Sequence, residues 1–104
     1  GLLTGKMTPE TTFKPGDNRA GNPHFAPDNI RMVNAFLDQI RPIAAGHNAT
    51  LAQIVIAWTI QQPGVTAALV GARSRKQALE NAAAGDIALT AEELSRINAL
   101  LSEM

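Results

Sequence analysis

The sequence predicts an α/β fold, mostly helical, with one strand of the parallel type near residues 65–70. Three observations predict it. Apolar residues recur at three- and four-residue spacing, as the buried stripe of a helix requires. Three helix starts carry a capping hydroxyl with Gln or Glu three positions on: Thr50 with Gln53, Ser74 with Gln77, and Thr90 with Glu93. Between two of these helices lies a largely apolar run, Val65 to Val70, without alternation, which suits a parallel strand covered on both faces.

The elements follow in order. Residues 7–27 hold Pro9, Pro15, Gly16, Asp17, Asn18, Gly21, Asn22, Pro23 and Pro27, which is loop chemistry throughout. A loop of this length in a small domain points to a lid or binding loop. Asp28 is expected to cap the first helix, whose stripe runs through Ile30, Val33, Phe36, Leu37, Ile40 and Ile43. Pro42 lies inside that stripe, so a kink or break is expected near Gln39 to Arg41. Gly46, His47 and Asn48 end it. The helix from Thr50 is apolar on nearly every side and is expected to be buried on nearly every side, until Gln61, Gln62, Pro63 and Gly64 stop it. The helix from Arg75 is expected to end at Gly85 in a left-handed cap. The last helix is expected to bury Leu94, Ile97, Leu100 or Leu101, and Met104. A lone strand would leave N–H and C=O groups unpaired along both edges, so the chain reads as a piece of a larger sheet.

The most informative stretch is Gly71 to Asn81. Strand, glycine turn and helix start follow one another, and Arg73, Arg75 and Lys76 crowd the helix N-terminus. Free N–H groups, a partial positive charge and neighbouring cations make a phosphate-sized anion site.

That stretch, Gly-Ala-Arg-Ser-x-x-Gln-x-x-Glu-Asn after an apolar run, resembles the adenosine-phosphate loop of the aldo-keto reductases. Three further segments match the same family in order and spacing. Gly1 to Lys6 is similar to its GLLTGK stretch past the seventh barrel strand. Thr50 to Trp58 is similar to its T-x-A-Q-x-A-L-A-W helix, and Asp86 to Leu94 to its closing segment. Only residues 7–27 match loosely. The resemblance implies the C-terminal fragment of a (β/α)8 TIM barrel, the last third of an NADP-dependent oxidoreductase acting on aldehydes or ketones. It implies that the backbone of Gly1, Leu2, Thr4 and Gly5, with Lys6, wraps the cofactor diphosphate and ribose. It likewise implies that Ser74, with Gly71, Ala72 and Gln77 beside it, meets the adenosine phosphate, that Arg73 packs against the adenine or reaches that phosphate, and that Glu80 and Asn81 meet the adenine edge. Gly71 and Gln77 stand where many members carry Lys and Arg, so NAD is possible beside NADP. Arg19 resembles an arginine that some members place near the cofactor or the active-site mouth; it is expected as a solvated loop residue. The family's catalytic Asp, Tyr, Lys and His match nothing here, so no catalytic residue is assigned and the chain alone is expected to be inactive. The expected partners are the missing N-terminal barrel portion, the nicotinamide cofactor and a small carbonyl substrate.

Composition excludes other classes. Nine Lys and Arg balance nine Asp and Glu, which speaks against nucleic acid or a membrane surface as partner. No eighteen-residue apolar run appears. With no cysteine there is no disulfide or thiolate chemistry, and a cytoplasmic location is the expectation. His24 and His47 lack partners at catalytic or metal-ligand spacing and read as structural or exposed. Glu92 and Glu93 read as helix-dipole partners, and Trp58 as core. Two other classes remain open: a non-enzymatic helical module that binds an anion or a protein, and, more weakly, a helix-turn-helix, which the strand between residues 50–62 and 75–84 disfavours.

Overall fold

The structure, a computed structural model, describes residues 1–104. Four α-helices carry it: α1 (Pro27–Gly46), α2 (Leu51–Ile60), α3 (Arg75–Ala83) and α4 (Ala91–Ser102). Short 3-10 turns occupy Leu2–Thr4, Pro23–Phe25 and Ala84–Asp86. The core lies where α1, α2 and α4 meet. Ile30, Leu37, Ile40 and Ile54 are its largest fully buried side chains, and Ile97 and Leu100 close it from α4. No polar side chain is buried with them. Gln61, just past α2, acts as a splint. Its amide donates to the Ile87 carbonyl (2.9 Å) and accepts the Leu89 N–H (3.1 Å), pinning the approach to α4.

Several elements differ from expectation. Residues 65–70 form no strand. Nothing else in the chain is extended alongside them, so a ladder has no second rail, and Leu69 stands fully exposed at 104% of its reference area. The N-cap of α1 is Ala26 with Pro27 at the first turn; Asp28 sits one step inside and pairs with Arg31 at 2.6 Å. Pro42 does not break α1. Pro42 and Asp38, whose carbonyl loses its partner, are both exposed, so that carbonyl is open to solvent, while Ile40 and Ala44 stay buried on the other face. Asn48, at φ 51°, supplies the left-handed residue after α1.

Gly85 is not left-handed. The chain tightens instead into the 3-10 turn at Ala84–Asp86, and Ala84 is buried there. In α2, Leu51, Ile54 and Ala57 are buried and the other seven residues are half-buried, so the helix is covered on every side but less completely than expected. Of Leu100 and Leu101 in α4, Leu100 is the buried one, and Met104, expected in the core, is exposed. Both full capping boxes form. In each, the hydroxyl accepts the N–H three residues on, and that residue's side chain accepts the cap N–H: Thr50 with Gln53 at 3.2 and 3.0 Å, Thr90 with Glu93 at 3.1 and 2.9 Å.

Candidate cofactor-binding site

Two segments far apart in sequence meet at one cleft. The first, Gly1 to Lys6, folds as a 3-10 turn that the Thr4 hydroxyl closes by donating to the Gly1 carbonyl at 2.7 Å. Gly5 leaves the turn at φ 77°, a left-handed conformation glycine adopts freely. A Cβ there would lie 2.9 Å from Leu51 Cδ1, so a side chain would displace that methyl group as well as strain the backbone.

The second segment is Gly71 to Asn81. Ser74 caps α3, its Oγ accepting the Gln77 N–H at 3.2 Å, while the Gln77 side-chain oxygen accepts the Arg73 N–H at 2.6 Å. Asn81 Nδ2 donates to the Gly71 carbonyl at 3.1 Å. Three side chains expected to face a ligand thus also shape the loop. Gln53 ties the loop to α2 by donating to the Glu80 carbonyl at 2.9 Å. Gly71 itself faces open space, with nothing within 4 Å of where its Cβ would be.

The cleft has a volume of about 620 Å³. Gly1, Thr4, Lys6, Gly71, Ala72, Arg73, Gln77, Glu80 and Asn81 line it, joined by Arg19 and Ala52. Leu2, Gly5 and Ser74 do not line it. Leu2 packs against the core, Gly5 makes the turn and Ser74 caps the helix. A second lobe of about 520 Å³ shares Thr4, Lys6, Ala52 and Glu80 and adds Lys76. Lys6, Arg19 and Arg73 face Glu80 alone among the lining charges, and the first-turn N–H groups of α3 have no carbonyl one turn earlier to bond. Donors and cations of this kind fit an extended ligand with several negative charges, as a nicotinamide dinucleotide is.

Arg19 departs most from expectation. Its Nε and Nη2 donate to Asp17 Oδ1 and Oδ2 at 3.0 and 2.8 Å, and its backbone N–H donates to Oδ1 at 2.9 Å. The guanidinium lies 4.7 Å from the Phe13 ring centroid, and Phe13 meets Phe25 edge-on at 5.6 Å. The Arg19 hydrogen bonds, side chain first and backbone second, pull the Asp17 carboxyl from 3.8 to about 2. The Asp-x-Arg spacing in a turn-rich loop was the available signal.

His47 also has a partner that sequence spacing did not reveal. Its Nε2 lies 2.8 and 3.0 Å from the two carboxylate oxygens of Glu93, joining the end of α1 to the start of α4. The Thr90 backbone N–H, then the His47 ring, hold the Glu93 carboxyl below its ordinary value of 4.5. Both histidines lie off the cleft, and His24 is exposed. No group of three or more metal-ligating side chains comes together, and no single helix is long and apolar enough to cross a membrane.

Comparison with known proteins decides the family. The model of the aldo/keto reductase family matches residues 1–102. The chain belongs to the aldo/keto reductase family. Among its relatives, aldo-keto reductase str7 of Strobilurus tenacellus is 34% identical over 103 residues, covering 99% of this chain and 31% of that protein. The uncharacterized oxidoreductase Rv2298 of Mycobacterium tuberculosis is 44% identical over 92 residues, 88% of this chain and 28% of that protein. The NADH-specific methylglyoxal reductase of Escherichia coli is 34% identical over 90 residues, with coverages of 86% and 27%. This aldo/keto reductase chain therefore spans less than a third of these relatives' length. Membership implies a piece of a (β/α)8 barrel.

Proposed function

We propose that this chain forms the nucleotide-gripping part of an NAD(P)H-dependent reductase of aldehydes or ketones. The observation that carries the proposal is the meeting of residues 1–6 and 71–81 at one cationic cleft. When bound, the nicotinamide cofactor supplies hydride to a carbonyl carbon. The chain's own residues bind and orient. Lys6, Arg19 and Arg73 offset phosphate charge, and Gly71 and Ala72 let the ligand approach the backbone closely. The start of α3 offers the Arg75 and Lys76 N–H groups to the adenosine phosphate, the Gln77 N–H being taken by Ser74 Oγ. Glu80 and Asn81 present an acceptor and an amide to the adenine edge.

The cations favour NADP, while neutral Gly71 and Gln77, together with a relative named as NADH-specific, keep NAD a real candidate. The proton donor comes from outside these residues, which include no tyrosine. Calorimetric titration of the purified chain with NADPH and NADH, followed by an aldehyde reduction assay, tests both halves. Binding without turnover is expected. Turnover by the chain alone would overturn its assignment as a cofactor-holding part, and failure to bind either nucleotide would overturn the cofactor assignment.

A further inference from the structure

We infer that Asp17 is a positioning residue, which holds the Arg19 guanidinium at the wall of the cleft before any nucleotide arrives. The inference rests on the cofactor reading above and concerns a residue that does not itself line the cleft. Arg19 lies in a loop with no regular structure on either side for several residues, and a free arginine there would sample many rotamers. Instead its fork is matched to both carboxylate oxygens of Asp17 (2.8 and 3.0 Å), its stem is fixed by its own N–H on the same carboxylate (2.9 Å), and its face rests on Phe13. Phe25, one residue before the N-cap of α1, backs Phe13. The arginine is thereby linked through Phe13 to the turn that leads into α1, and it still remains accessible, with 42% of its side chain exposed. The depressed Asp17 carboxyl keeps this pair ionised at any ordinary pH.

Two effects of Asp17 on an anionic ligand oppose each other, and their signs differ. As a charge, it partly neutralises Arg19 and repels phosphate, so its removal should tighten binding. As a positioning group, it spares the ligand the entropy of ordering a long side chain, so its removal should weaken binding. Ordering one such side chain is worth about twofold to tenfold in affinity. The repulsion acts through exposed groups in salt solution and is small. Positioning should win.

The test is calorimetric titration of the chain and its variants with NADPH and NADH. Asp17→Asn is expected to weaken both nucleotides by about twofold, and by less than tenfold. Arg19→Ala should weaken them about tenfold or more, and Asp17→Asn should then add nothing further in that background. Asp17→Glu should recover part of the loss, and circular dichroism and the unfolding midpoint should stay as in the wild type. Unchanged or tighter binding by Asp17→Asn, or full additivity with Arg19→Ala, would overturn the inference. If Arg73→Ala weakens binding while Asp17→Asn does not, the cofactor reading survives and this inference alone fails. If the unsubstituted chain binds neither nucleotide, both fail.

Discussion

The block of α1, α2 and α4 and the arm from residue 65 to the end of α3 are built on opposite terms. The block buries Ile30, Leu37, Ile40 and Ile54 completely and is fastened at its seams by the Thr50 and Thr90 capping boxes, the Gln61 splint and the His47–Glu93 pair. The arm buries nothing in α3 and leaves Val65, Leu69, Val70 and Leu79 exposed. The difference separates residues that hold this chain together from residues aimed at something else. On one side of the arm an apolar run stands exposed. On the other, polar groups line the cleft.

Substitutions in the two regions should therefore differ most. Ile54→Ala should cost about 2–5 kcal/mol in urea unfolding, since it empties a site of zero exposure. Leu69→Ala should change stability by less than about 0.5 kcal/mol. Comparable losses at both positions would mean that the arm is packed in solution. A smaller effect belongs to the seams: Thr90→Ala should cost about 1 kcal/mol by removing the cap of α4, and no loss would show that α4 is held by packing alone.

The smallest effect is one of pH. The folded state holds the Glu93 carboxyl below 4.5, so its contribution is complete above that value and fades as pH falls through the folded value. Unfolding measured from about pH 6 down to about pH 3 should lose less stability in Glu93→Gln than in the parent chain. Equal losses would assign the acid sensitivity to other groups.

Much of this division is legible in the sequence because it depends on neighbours a few residues apart. Capping boxes are local, and so are the α1 stripe and the loop signals of residues 7–27. The cleft residues were legible through motif order. What escaped depends on distant or missing partners. His47 and Glu93 are 46 positions apart. A strand is defined by its neighbour, so Val65 to Val70 could be apolar and suited to a sheet and still find no ladder. At Pro42 and Gly85 the surroundings, and not the local rule alone, decide the outcome. At Pro42 the lost hydrogen bond faces water, and at Gly85 the burial of Ala84 selects a 3-10 turn over a left-handed cap.

The most direct test is backbone amide NMR of the labelled chain titrated with NADPH. Amides of Leu2 to Lys6 and of Gly71 to Gln77 should shift together along one saturation curve, while those of α4 stay in place. Shifts confined to one of the two segments, or centred on α4, would contradict a single cleft that holds the nucleotide from both sides.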